Sequence, residues 1–257
     1  MEIVIISIAA FFTAILTFFS GFGLGTIMMP VFAFFFPIDV AIALTGVVHF
    51  ANNFFKLLLV GRDADKTVLL RFGLPAFLAA IFGAWLLIHL SSLPVLYSYT
   101  MWGRGFEISL IKLTIALILF VFAILEIMPA FRRLQFDKNK LVIGGVLSGF
   151  LGGLSGIQGA LRSAFLIKSG LSKEAYIATA VVIACIVDLS RLSVYATKFL
   201  DTGLYDNMAL LISAVVSAIA GAYLGKRLLH KVTLKSVQYL VVVMLILVSL
   251  GMGTGLI

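Results

Sequence analysis

Long apolar runs separated by short polar clusters set the pattern of this chain. Runs near 40–60, 70–90, 110–128, 174–197, 206–225 and 236–256 each approach the ~20 residues that a helix needs to cross the bilayer's hydrocarbon. No water pairs the backbone in lipid, so runs without strict alternation are helices and not barrel strands. Two further apolar segments, 3–36 and 141–170, are too long for one span. Each is interrupted near its middle by glycines, Ser20-Gly-Phe-Gly-Leu-Gly25 in the first and Gly152-Gly-Leu-Ser-Gly-Ile-Gln-Gly159 in the second. A pair of short helices that dives in and turns back at the glycines accommodates such a segment. The expected fold class is therefore all-α, a polytopic membrane protein.

Composition agrees. Of 257 residues 62% are hydrophobic and 12% charged, with a mean hydropathy of +1.19, which leaves no material for a soluble domain. The N-terminal Met-Glu-Ile-Val has no positive region and no small-residue cleavage site, so it is not read as a removable signal. A net charge of +8 could point to nucleic acid, but the basic residues lie in short loops between spans. Arg62, Lys66 and Arg71 fall in one loop, Arg132, Arg133, Lys138 and Lys140 in a second, and Lys226, Arg227, Lys231 and Lys235 in a third. Loops rich in Lys and Arg face the cytoplasm. The loop 91–107 holds only Arg104 and the loop around 198–206 only Lys198, so these loops and both termini are expected on the outer side. Trp85, Trp102, Tyr97 and Tyr99 fit an aromatic belt near that surface, with 94–107 lying along it.

With these sides assigned, residues 1–135 form a hairpin at 3–36 and spans near 40–60, 70–90 and 110–128. Residues 136–257 form a hairpin at 141–170 and spans near 174–197, 206–225 and 236–256. The halves run through the membrane in opposite senses, an inverted repeat. Aligning residue n with n+135 pairs Ser20-Gly21 with Ser155-Gly156, Asp39 with Glu174, Ile42-Ala43 with Ile177-Ala178, Asn53 with Asp188 and Lys56 with Arg191. Inverted-repeat transporters place their sites where interrupted helices meet near the midplane.

Candidate chemistry follows from that geometry. Helix N-termini offer unpaired amides and a positive dipole end, and glycine lets a ligand approach the backbone. Ser20, Gly21, Gly23 and Gly25 from one half and Ser155, Gly156, Gln158 and Gly159 from the other are candidates for an anion cradle. Polar groups deep in spans are costly; Thr45, His49, Asn52, Asn53, Thr179, Asp188 and Arg191 are the ones present here. Asp188 and Arg191, three apart, form either a structural ion pair or a site in which Arg191 holds an oxyanion and Asp188 carries a coupled proton. His49 is either a second proton carrier or a hydrogen-bonded structural histidine. Arg162 and Lys56 either belong to the substrate site or extend to the interface. Gly145, Gly149 and Gly153, at four-residue spacing, suit close helix packing, and the unpartnered Cys185 suits the interior. No catalytic motif, phosphate loop, metal-ligand spacing or cofactor motif is present. The expected partners are a small anionic substrate and the lipid bilayer, with no nucleic acid.

At Gly21-Phe-Gly-Leu-Gly-Thr-Ile-Met-Met-Pro30 followed by Asp39-Val-Ala-Ile-Ala-Leu-Thr45, the chain resembles the TauE/SafE family of membrane proteins, the sulfite exporters. A related pattern recurs at Gly152–Gly159 and Tyr176-Ile-Ala-Thr179, with Leu44, Gln158 and Ala160 as departures. The resemblance implies ion-gradient-driven export of sulfite or an organosulfonate such as sulfoacetate across a bacterial inner membrane. Two other readings stand beside it. One is an intramembrane enzyme using Asp188, His49 and Arg191 on a lipid phosphate, which requires those residues to converge and a metal or nucleophile besides. The other is a non-transporting scaffold.

Overall fold

A computed structural model describes residues 1–17, 23–101, 103–128, 135–199, 207–228 and 234–257. The helices are α1 (Glu2–Thr17), α2 (Leu24–Ala33), α3 (Ile38–Val60), α4 (Lys66–Ser91), α5 (Leu110–Ile127), α6 (Leu141–Ser155), α7 (Gly159–Leu166), α8 (Lys173–Phe199), α9 (Met208–Leu228) and α10 (Leu234–Gly253). Five stretches, 38–63, 66–91, 110–127, 173–197 and 208–225, are helical, long and apolar enough to cross a membrane. Large apolar side chains such as Leu58, Leu70, Leu117 and Ile212 point outward, while Thr45, Asn52, Asp188 and Arg191 are buried. Lipid as the surrounding solvent accounts for this distribution, which inverts that of a water-soluble domain.

Both glycine-rich segments are broken into two helices. The second break is Gly156-Ile157-Gln158, where Gly156 takes a left-handed φ of 78° and its amide donates to the Gly152 carbonyl at 3.0 Å. In the first, α2 opens at Gly23 with φ 110°; Ser20 and Gly21 lie outside the described residues. Backbone of this kind is where glycine meets no Cβ penalty. Pro30 lies inside α2. In α4 the turn Leu69–Gly73 widens to a π-helix just ahead of Pro75, whose ring and missing amide disfavour a regular bond to residue 71.

The stretch expected along the outer interface folds as a β-hairpin, β1 (Val95–Met101) antiparallel to β2 (Arg104–Ser109), turning near Gly103 at φ 73°. Tyr97 and Tyr99 stack on one face, Tyr99 stacks across on Phe106, and the Tyr99 hydroxyl donates to the Thr254 carbonyl at 2.6 Å. Short, mostly exposed strands rich in aromatic residues pair locally here without a hydrophobic run to announce them. Trp102 lies outside the described residues.

Helix α6 packs on α4, and α1 on α9; α3 packs on α8, α5 on α10, α4 on α8 and α9 on α3. Small residues permit the tightest of these contacts. Gly145, Gly149 and Gly153 rest on the backbone of Phe72, Ala76 and Ala80, with both sets at four-residue spacing, and Gly83 rests in turn on Phe150. On the other pair Gly221 meets the backbone of Phe11, and Ser7 and Ser213 share a hydrogen bond of 2.7 Å. Lipid supplies no hydrophobic drive between helices, so van der Waals contact of this closeness is what holds them.

A methyl at Gly149 would collide with the Ala76 carbonyl, whereas one at Gly105 meets nothing within 4 Å. Gly149→Ala is expected to destabilise the detergent-solubilised protein by about 1–3 kcal/mol, the usual cost of overpacking. Gly105→Ala is expected to leave the thermal unfolding midpoint unchanged, and equal midpoints for the two variants would contradict the packing.

Candidate functional site

Helices α3, α7 and α8 bring most of the buried polar side chains to one place. Asp188 on α8 is fully buried. Its Oδ2 accepts from His49 Nδ1 of α3 at 2.6 Å. Its Oδ1 accepts from Arg191 Nη2 at 2.7 Å, from Arg191 Nε at 3.1 Å and from Gln158 Nε2 at 3.4 Å. Gln158, at the start of α7, accepts at Oε1 from Arg162 Nη1 at 3.3 Å. Both ends of its amide are thereby oriented, oxygen toward the cation and nitrogen toward the carboxylate. The third nitrogen of Arg191, Nη1, donates to the Gly152 carbonyl at 3.3 Å.

His49 is held from behind as well. Asn53 Nδ2 donates to the His49 carbonyl at 2.9 Å and lies 3.2 Å from each ring nitrogen.

The two glycine breaks touch beside this cluster. A Cβ at Gly25 would stand 3.1 Å from the Gly156 carbonyl oxygen and 3.6 Å from His49 Cδ2, and one at Gly156 would stand 2.8 Å from Arg191 Nη1. At Gly25 and Gly156 the contact is backbone against backbone, which leaves no room for an anion between these two residues. Gly23 lies on the other side of the contact, lining with Thr26, Ile157, Ala160 and Glu126 a cavity of about 20 Å³, room for one water molecule. Ser155 turns back, donating to the Leu151 carbonyl at 2.9 Å and accepting from the Ile157 amide at 3.4 Å. Gly159 opens α7.

Lys56 and Arg162 turn into the protein. They are 7% and 1% exposed, and Arg162 is within electrostatic reach of both Lys56 and His49. Thr45, His49, Asn52 and Lys56 form one buried stripe along α3. The charged side chains buried among the described residues are therefore three cations, Lys56, Arg162 and Arg191, with one carboxylate, Asp188, beside the imidazole. Thr179 lies apart, accepting from the Asp65 amide at 2.9 Å.

Three residues of this region did not stand out in the sequence. Tyr195 donates from its hydroxyl to the Gly153 carbonyl; its spacing of four from Arg191 and seven from Asp188 on one helix face was the available signal. Ser148 donates to the Gln158 carbonyl at 3.1 Å and anchors the second break. Glu126 is the single acidic residue in the apolar run 110–128, the kind of intramembrane charge that marks function.

The convergence of His49, Asp188 and Arg191 meets one requirement of the enzyme reading. Among the described residues no group of three or more His, Cys, Asp or Glu is placed to hold a metal. The family model described as sulfite exporter TauE/SafE matches residues 6–252. No curated protein and no solved structure matches the chain.

Breaking a buried ion pair from one side strands the other charge, at about 3–5 kcal/mol. Asp188→Asn and Arg191→Met are each expected to destabilise by that order, and the double variant by clearly less than their sum. Additive losses, read from unfolding of the purified protein, would mean that the two side chains do not act as a pair.

Proposed function

The chain belongs to the sulfite exporter TauE/SafE family, and on that premise we propose that it exports a small sulfur oxyanion or organosulfonate, such as sulfite or sulfoacetate, from the bacterial cytoplasm. Membership and the apolar helices make it a multi-pass membrane transporter rather than an enzyme. The finer reading is a secondary transporter that works by alternating access and is coupled to an ion gradient. The observation that carries it is the contact of the two glycine breaks beside a buried cluster richer in cations than in carboxylates. Anions are drawn to such clusters because desolvated cations gain most from a counter-charge.

An inverted-repeat organisation, with repeats at 1–135 and 136–257, supports the same reading. The helix starts Leu24 and Gly159, like Ile38 and Lys173, are 135 residues apart, the register of the sequence repeat. Exchanging the halves converts the packing of α1 on α9 into that of α6 on α4, and the packing of α9 on α3 into that of α4 on α8. Both termini are placed on the outer side by the distribution of Lys and Arg. An open pocket of about 630 Å³ lies at the end of the bundle where α3 begins, lined by the α2–α3 connection, β2 and the start of α5. In this topology it faces outward, about 16 Å of helix from His49.

Arg191 has Nε and Nη2 committed to Asp188. For it to hold a substrate oxyanion, that grip has to loosen, and a proton taken up by the His49–Asp188 pair loosens it. Proton and anion then favour each other's binding, and linkage makes the effect reciprocal. Gly25, Ser155, Gly156 and Gly159 shape the backbone wall of the site. His49, Asn52, Asn53, Gln158, Arg162 and Arg191 supply its polar groups, with Asp188 and His49 carrying the coupled proton.

Sulfite flux in proteoliposomes at clamped membrane potential tests this. A pH gradient is expected to drive it, and Arg191→Lys, which forfeits the fork, to slow it about tenfold or more, as for a lost charged hydrogen bond. Asp188→Asn is expected to leave flux that no longer responds to the gradient. Absence of flux for sulfite, sulfoacetate, taurine and thiosulfate under every gradient would remove the substrate assignment.

A further inference from the structure

A polar side chain buried in a membrane protein without a hydrogen-bond partner is an expensive feature. Asn52 is one. It is 1% exposed, and neither its Oδ1 nor its Nδ2 has a partner among the described residues. The polar residues nearest to it in sequence are engaged, His49 with Asp188 and Asn53 with the His49 carbonyl. Asn52 lies on the buried stripe of α3 one turn beyond His49 and one turn before Lys56. Arg162, on α7, interacts electrostatically with both flanking residues.

We propose that Asn52 selects among anions, and that the anion it admits carries a hydrogen-bond donor as well as acceptor oxygens. This rests on the anion-transport reading above and narrows it. A carboxamide has two unlike ends. Nδ2 suits anionic oxygen, but Oδ1 accepts only from a donor. A fully deprotonated oxyanion has acceptors alone, so binding it leaves Oδ1 unpaired and turned toward negative charge. A hydrogen oxyanion, or a sulfonate bearing a hydroxyl or ammonium group, satisfies both ends at once. Sites built to bond a ligand hydroxyl reject the analogue without it far more sharply than apolar pockets reject a change of size. The selected class is thus oxyanions and sulfonates, zwitterionic ammonium sulfonates included, that carry an O–H or N–H donor, in preference to all-acceptor anions such as sulfate, sulfite dianion, fully ionised sulfoacetate or simple alkanesulfonates.

The test uses the full chain in proteoliposomes and two competitors of sulfite uptake, 2-hydroxyethanesulfonate and ethanesulfonate, which have equal charge and differ by one hydroxyl. The hydroxylated compound is expected to compete at a concentration about tenfold lower, the cost of leaving one buried acceptor unpaired. Asn52→Val is expected to bring the two within about twofold of each other. Equal competition in the wild-type protein while sulfite flux is intact overturns the proposal and leaves the transport reading standing, as does a preference that survives Asn52→Val. The wild-type comparison decides even where the variant fails to fold. Absence of sulfite flux with neither compound bound would instead end the transport reading, and this proposal with it.

Discussion

A carboxylate withdrawn from water has to find its donors inside the protein, and inside a membrane there is no fallback. Asp188 finds them on three helices: His49 of α3, Gln158 at the start of α7 and Arg191 one turn along α8. Two of these partners are far away in sequence. The carboxylate therefore fixes the approach of α3 to α8 and the position of the second glycine break against both. Gly46 and Gly156 keep the space in which Arg191 extends, since a Cβ at either would reach its guanidinium. Close backbone packing elsewhere, above all α6 on α4 through Gly145, Gly149 and Gly153, presents the break at the depth where Asp188 waits.

Much of this arrangement was legible along the chain. Spans were visible because apolar length is a direct consequence of bilayer thickness, and the breaks because glycines interrupt runs otherwise too long for one crossing. His49, Asp188 and Arg191 were visible as polar groups at depth. Their partnership was not, because a contact between residues 49 and 188 is set by helix packing and leaves no periodic trace in either segment. Lys56 and Arg162 show the same limit from the other side. Position along a helix was readable, but whether a long cationic side chain turns inward or toward the interface depends on which face its neighbours cover. The β-hairpin at 95–109 escaped for a different reason: its pairing is local and its residues are exposed, so hydropathy carried no signal there. Tyr195 escaped because its polarity resides in one hydroxyl on an otherwise apolar ring.

At the glycine turns, position along the chain was readable and contact was not. Expected as two walls with an anion between them, they meet carbonyl against Cα at Gly156 and Gly25. A water-sized space lies beside Glu126, lined also by Gly23 and Ile157.

An acidic residue at the centre of an anion site looks self-defeating until its role is separated from that of the substrate. Buried cations gain from a counter-charge close by. In the proposed cycle Asp188 supplies that charge while no substrate is bound, holding Arg191 and the His49 ring in the geometry an oxyanion will later use. A substrate then does not have to create order or charge balance from nothing; it replaces one anion by another once a proton has neutralised the first. The energetic change is the difference between two well-paired states, which is small, and a small difference is what lets a site bind on one side of the membrane and release on the other.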